Sequence, residues 1–429
     1  MRTTTLAPFT GAVATRTALM LALSASAAIS QLPNASPAAT GLSGAYTARA
    51  RGYDAVAWNP ANLGMPGNPG FSLGLFAVSG ASGLDPISLS DFAPYSGKVL
   101  PAAQREQWLQ QVTAKGGENG TADGGVTMIG LSAGPIALQV ASSVAGSSTL
   151  SPDGFQALMF GNAGRTGSVE TLNLGGSSVR AAGFTTGAAS YGLSLGNSRS
   201  GHGFALGITG KYIVGNFLAM AEDQGSNASA NSVAVNFPMI YSRPDSNIVV
   251  GSGAGVDVGL AWSASRLSFG ATVQNIFNSF AWDQTKLMSK AGTALFDGNT
   301  SSSDFDDQPY ANAPAALRTS VTEDKFKPTI SAGMAYALSS SSTFSADFRQ
   351  QMGDGIQFGP KTQAGAGIEV RTLPVLRLRG GASYVTGGYG VSGGIGLALG
   401  SYELGVGGAL RHVNGGQSPA ITVNVFSIR

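Results

Sequence analysis

"TLPVLRLRGGASY", residues 372–384, alternates almost without a break. Leu376, Leu378, Ala382 and Tyr384 share one parity; Arg377, Arg379 and Ser383 share the other, beside two glycines. Period two is the mark of a β-strand, whose successive side chains point to opposite faces. The fold turns on which face meets water. On a soluble sheet the arginines would be outside. On a strand crossing a bilayer the leucines would be outside, and the arginines would line an enclosed, hydrated space.

The same pattern recurs along the chain. In 203–214, Phe204, Leu206, Ile208, Tyr212 and Val214 oppose Gly207, Thr209 and Lys211. In 253–264, Val256, Val258, Leu260 and Trp262 oppose Gly255, Asp257 and Gly259; 267–274 and 326–338 repeat the alternation. Phe344, Ala346 and Phe348 oppose Asp347 and Arg349, and Ala364, Ala366, Ile368 and Val370 oppose Lys361, Glu369 and Arg371. The series closes with 388–399, 401–411 (Leu404 and Val406 against Glu403 and Arg411) and 420–428. Adding 70–79, 125–133, 135–146, 179–196 and a weaker 231–241 gives roughly 14 strands, each about 9–12 residues, the length a tilted spanning strand needs. Bacterial barrels take even numbers, so 14 is the expected count. "GPI" at 134–136, "GGYG" at 387–390 and "LGSY" at 399–402 read as tight connections.

Composition supports the membrane reading. Of 429 residues, 11% are charged and 43% hydrophobic, with 62 glycines and no cysteine. A soluble domain carries about 25% charged residues. The absence of cysteine excludes disulfide staples and thiolate chemistry. No stretch reaches 18 apolar residues, so a membrane-embedded chain of this kind must cross with strands. Arg2 and Arg16 followed by apolar Ala18–Ile29 and small residues read as a secretory signal over 1–30, with cleavage after Ala27 or Ser30. Its removal would lower the 25 lysines and arginines to 23, level with the 23 acids. A near-neutral chain without a clustered basic face is not built for nucleic acid.

The rival architecture is a soluble sandwich or solenoid. Its polar face would be densely charged, whereas here that face is mostly Gly, Ser and Thr. Tyr212, Trp262, Tyr336, Tyr384, Tyr389 and Tyr402 fall on the apolar parity near strand ends, as in the aromatic girdles of membrane barrels. The expected lumen-facing charges are Lys211, Asp257, Asp347, Arg349, Lys361, Glu369, Arg371, Arg377, Arg379, Glu403 and Arg411. They are net positive, which suits anionic solutes, and they equally suit ion pairs that rigidify the wall. On this reading Leu378→Arg impairs membrane assembly and Arg379→Leu leaves it largely intact.

Two regions stand outside the alternation. Within a loop expected over 80–123, residues 99–114 read as an amphipathic helix with Pro101 in its first turn and Trp108, Leu109 and Val112 on its apolar side. It is placed either as a plug in the lumen or on the periplasmic side. Residues 284–325, with "SSSDFDD", read as a long polar loop.

The stretch "GLSGAYTARARGYDAVAWNPANLGMPG", 41–67, resembles the N-terminal signature of FadL-like outer-membrane proteins, with Trp58, Asn59 and Pro60 in its core. "GAGVDVGLAW" (253–262), "VQNIF" (273–277) and "AGAGIEVRTLPVLRLRGGASY" (364–384) echo the same family. The resemblance implies a 14-stranded transmembrane antiparallel β-barrel over 70–429. Its N-terminal segment, 31–69, would fold inward as a hatch, and its cargo would be hydrophobic or amphipathic small molecules. Related barrels serve instead as scaffolds for secretion or surface assembly. The ending "NVFSIR" lacks the terminal aromatic usual in such barrels.

Catalysis finds little support. His202 lies in a turn near Ser200, and i, i+2 spacing does not set a hydroxyl against an imidazole; His412 stands alone near a strand end. No histidine or carboxylate cluster has metal-ligand spacing, and no cofactor motif is present: "GSGAGVDVG" precedes no helix and lacks a P-loop lysine.

Overall fold

The computed structural model describes residues 35–428, except 162, 197–201, 230, 245–247 and 298–299. The expected signal segment 1–30 and Ser200 lie outside the described residues. The strands are β1 Phe71–Asp85, β2 Glu118–Ala133, β3 Ile136–Leu150, β4 Ser178–Ser194, β5 Gly203–Glu222, β6 Gly251–Ala264 and β7 Leu267–Asn278. They continue as β8 Thr329–Ala337, β9 Ser342–Gln351, β10 Thr362–Leu373, β11 Leu376–Val385, β12 Gly388–Leu399, β13 Tyr402–Val413 and β14 Gly416–Ile428. Each pairs antiparallel with its neighbours in sequence, and β14 returns to β1 with Leu73 opposite Ile428, closing a 14-stranded barrel. Closure removes the open edges that hydrocarbon forbids.

Side-chain direction follows the alternation. Leu378, Tyr384, Leu404 and Val406 are 39%, 62%, 39% and 47% exposed on the outer face, whereas Arg379 on the inner face is 7% exposed. The wall is one sheet thick, so an apolar outer side chain has only lipid to cover it. An arginine on that face would cost roughly 2–4 kcal/mol at mid-membrane.

The turn Gly134–Pro135 and the connections 265–266, 374–375 and 400–401 gather at one end with the start of β1 and the end of β14. Such barrels keep short turns on the periplasmic side and long loops outside. The long connections 86–117, 151–177, 223–250 and 279–328 lie at the opposite, extracellular end.

Residues 35–65 run inside the lumen and are buried almost throughout. The short helix Pro37–Gly41 packs on β11–β14, the turn Gly52–Asp54 on β1–β3, and the 3-10 turn Pro60–Gly64 on β4–β7. This explains the glycine-rich inner parity. A Cβ on Gly207 would stand 2.1 Å from Ala61 N, and one on Gly74 would stand 2.6 Å from the Tyr53 ring. Bare backbone on the wall is what lets a second layer of chain lie against it.

Several expectations need correction. β1 and β2 run on to Asp85 and back to Glu118, so the expected loop 80–123 is a connection over 86–117. The missed ends, "GASGLD" and "ENGTADGG", carry a single large apolar residue, Leu84, which is too little to show an alternation. The helix, Ala102–Lys115, occupies neither expected place. It packs at the extracellular end on Pro152–Phe160, burying Trp108, Leu109 and Val112 against Ile87 and Phe155. Residues 231–241 form no barrel strand. Ser232–Asn236 joins a small five-stranded sheet, and Met239–Ser242 extends the edge of β5. The stretch 284–325 is also not a plain polar loop. Thr293–Asp297 and Thr300–Asp304 belong to that small sheet, and the helix Ala315–Glu323 buries Leu317 and Val321.

Candidate functional site

Three sets of contacts tie the N-terminal segment to the wall. Around Asn59, Nδ2 donates to Leu260 O at 3.0 Å while Oδ1 accepts Ala61 N at 3.1 Å, with Pro60 opening the 3-10 turn. Gly259 and Gly270 leave the room this side chain occupies, since a Cβ there would come within 2.1 and 2.8 Å of it. Trp58, beside it, sets its ring edge-on to Tyr46 at 5.5 Å.

A second set lies across β5, β6 and β7. Lys211 Nζ is 2.6 Å from Asp257 Oδ1, with both side chains 1% exposed. Lys211 Nζ also donates to Asn275 Oδ1, and Asn275 N donates to Asp257 Oδ1, each at 2.6 Å. Asn275 reaches them because β7 bulges: Val273 pairs Val258 but Phe277 pairs Val256, and Asn275 takes φ +52°. The neighbouring Gln274 Nε2 donates to Ala57 O of the inner segment at 2.6 Å.

The third set is a chain of charges near the periplasmic end. Glu369 receives Arg49 of the inner segment and Arg379, each at 2.7 Å. Arg379 and Arg377 both meet Glu403, at 3.4 and 3.0 Å. On β9, Asp347 Oδ2 accepts the backbone N–H groups of Tyr46 and Thr47 at 3.1 and 2.7 Å. Hydroxyl pairs add to this: Thr40 with Thr422 at 2.7 Å and Ser43 with Ser392 at 2.8 Å.

Above the segment, one side of the mouth is sealed by aromatic packing. The Phe184 ring lies 5.1–5.9 Å from those of Phe280, Trp282, Phe326 and Phe358. Phe280, Trp282 and Phe326 belong to the connection 279–328, which is clamped by Asp324 accepting Arg180 Nη2 at 2.7 Å and Trp282 Nε1 at 2.9 Å. The other side is open, a vestibule of about 740 Å³ bounded by Leu84, Asp123, Met220, Lys361 and Arg411. Below it, a cavity of about 50 Å³ lies against the inner segment, lined by Ser36, Thr40, Trp58, Arg349, Gln363 and Arg411 among others.

Of the charges expected to line the lumen, Lys211 with Asp257, and Glu369 with Arg377, Arg379 and Glu403, are brought together. Asp347 meets the inner segment, and Arg349 and Arg411 meet at the small cavity. Two differ from expectation. Lys361 precedes β10 rather than sitting on it; it pairs with loop residue Asp354 at 2.8 Å, holding that carboxyl below its ordinary range. Arg371 keeps the expected parity but is exposed next to the β10–β11 turn, where the wall meets water. Arg49, Asn275, Arg180 and Asp324 were missed. Arg49 carried a signal: an arginine in a segment read as folding inward needs an acid opposite it. Asn275 carried none, because its role arises from the bulge.

This arrangement defines a class: a closed transmembrane β-barrel whose N-terminal segment occupies its own lumen. Among solved structures the chain is similar to the CymD monoaromatic hydrocarbon channel, at 11% identity over 92% of this chain and 97% of that one, with a TM-score of 0.48. It is similar to the Pseudomonas putida toluene transporter TodX at 12% identity over 87% and 92%, TM-score 0.42. A Pseudomonas aeruginosa FadL homologue gives 12% over 94% and 98%, TM-score 0.45. The likeness to these FadL-type barrels is one of chain layout, and no solute is read from it. No family model matches the sequence, and no curated protein does.

Proposed function

We propose that the protein lets hydrophobic or amphipathic small molecules, fatty-acid-like in build, cross the bacterial outer membrane passively, with residues 31–69 as a hatch. Export through a signal over 1–30 would deliver it there, and outer-membrane lipid would surround the apolar belt. One observation carries the reading: the open vestibule adjoins, at Pro360 and Arg411, a small cavity lined by a segment held to the wall mainly by side-chain bonds, such as Ser43–Ser392 and Arg49–Glu369. A segment held this way can shift while every strand pairing of the barrel stays intact. The solute gradient alone drives passage.

The absence of native cysteine gives a direct test. Ser43→Cys with Ser392→Cys replaces two hydroxyls 2.8 Å apart, a spacing a disulfide can bridge with small adjustment. In proteoliposomes, oxidation of this pair should lower uptake of a fluorescent fatty acid at least tenfold, and reductant should restore it. No flux of any hydrophobic solute in the unlocked protein, with partners that co-purify stably, would replace transport by a scaffold role.

A further inference from the structure

Glu118 opens β2 at its extracellular tip, above the membrane belt. Its Oε2 accepts the backbone N–H of Ile87 at 3.2 Å. Ile87 is 1% exposed and packs with Trp108, Leu109, Val112 and Phe155. That bond therefore ties the carboxyl to the seat of the helices Ala102–Lys115 and Pro152–Phe160, which together cap this side of the barrel. The other oxygen, Oε1, is buried and has no hydrogen-bond partner among the described residues. The charges set around Glu118 are of its own sign. β1 brings Asp85, whose Oδ1 is also buried without a partner while Oδ2 accepts Asn414 Nδ2 at 3.0 Å. Asp91, in the helix Leu89–Phe92, accepts the Ser88 N–H at 2.8 Å. β3 sets uncharged Leu150 opposite Glu118. The charges of the cap itself are engaged elsewhere or face water. Arg105 donates to Met159 O, Lys98 to Pro94 O, Glu106 pairs with Arg165, and Asp153 accepts Asn173 N. Lys115 is exposed and has no ion pair among the described residues.

We propose that Glu118 is a pH-sensitive latch on the extracellular cap: protonated, it holds Ile87 and the two helices down, and ionised beside Asp85 and Asp91 it lets them lift. Burial is the main cause that pushes its carboxyl up, to about 8; the Asp85 and Asp91 charges add to it, and the Ile87 N–H opposes it. Lifting the cap exposes the carboxyl to water and returns it to the ordinary glutamate range. The closed state thus binds the extra proton, and it weakens as pH rises from that range to about 8. Within this window the opening constant grows by up to about tenfold per pH unit. Above it both states are ionised and the response levels off. Leu84, Asp85 and Asn119 line the vestibule, so the latch acts on its rim. The latch is independent of which solute the barrel passes.

The test uses the cysteine-free chain, purified in detergent and spin-labelled at Val99→Cys and Ser401→Cys. Val99 is 91% exposed and precedes Leu100, which packs in the cap cluster; Ser401 lies in the periplasmic β12–β13 turn and serves as a fixed reference. The distance between the labels should form one population in mild acid. A second population should grow at least fivefold from about pH 6 to about pH 8 and change little above that. Glu118→Gln, a neutral isostere that still accepts from Ile87, should keep the single population throughout. Asp85→Asn should shrink the rise, because one like charge is gone. Folding of each variant is read from heat-modifiable migration on a gel. A distance that ignores pH in the parent, or a rise that persists in folded Glu118→Gln, overturns the latch.

Discussion

The Arg49 guanidinium, carried by the inner segment, sits 2.7 Å from the Glu369 carboxylate of β10, which is also held by Arg379. One acid thus serves two cations that belong to different layers of the molecule. Removing it leaves Arg49 without its acid and Arg379 with only the longer contact to Glu403 at 3.4 Å, which costs about 3–5 kcal/mol. Glu369→Gln should therefore lower the temperature at which the folded band disappears on a heat-modifiable gel by many degrees. Arg49→Met should cost much less, because Arg379 still pairs with Glu369. Equal losses would mean that the acid is not the hub.

Lys211 and Asp257 make the most enclosed pair, 1% exposed each. Lys211→Met alone should destabilise the barrel by about 3–5 kcal/mol, since it strands a carboxylate. Adding Asp257→Leu should recover most of that loss, with the remainder reflecting the Asn275 N–H left without its acceptor. Unfolding in urea after reconstitution reads both, and a double variant no better than the single would contradict the account.

Leu378 and Arg379 are neighbours on opposite faces of β11. Leu378→Arg, two residues inside the periplasmic end of β11, should cost less than the about 2–4 kcal/mol of a midplane arginine and still lower the folded yield in bilayers. The alternation alone leaves Arg379→Leu nearly silent, but the ion chain does not. Arg379→Leu should assemble yet melt at a lower temperature, with Glu369 keeping Arg49 and Glu403 keeping Arg377. Failure of Arg379→Leu to assemble would count against the facing of β11.

At the extracellular end, Glu106 accepts Arg165 Nε and Nη2 at 3.0 and 2.9 Å, and that hydrogen bonding holds its carboxyl below the ordinary glutamate range. A depressed folded-state value means the contact contributes above the unfolded-state value and is lost as pH falls through the folded one. Both side chains are more than a third exposed, so the effect is small. A spin label at Thr113→Cys should keep constant mobility from neutral pH into the carboxylate range and loosen below it. In the Glu106→Gln background the mobility should be higher and flat; a pH response that survives this change assigns it elsewhere.

The strands were legible because side-chain direction is local. Phe204, Leu206 and Ile208 alternate in the sequence as they do in space, and a two-residue step needs no knowledge of partners. Legibility failed where strands rise past the membrane, as at residues 80–85 and 118–124, since water on both faces removes the pattern. It failed again at Phe280 and Trp282, which no alternation reached, and at Phe326, read as the start of the alternating segment 326–338; all three fold back into the mouth. Trp58-Asn59-Pro60 marked the inner segment by resemblance, but the atoms it meets, Leu260 O among them, were not in the motif.

By itself, then, the amino-acid order determined a β-barrel with its greasy parity outward, because the pleat ties each side chain's face to its place in the chain. Only the tertiary structure decided what the inner parity touches. Arg49 finds Glu369 across 320 positions, and Arg349 finds Arg411 from a strand four places round the wall. Such meetings depend on barrel closure, strand stagger and the path of the inner segment, none of which leaves a period in the sequence.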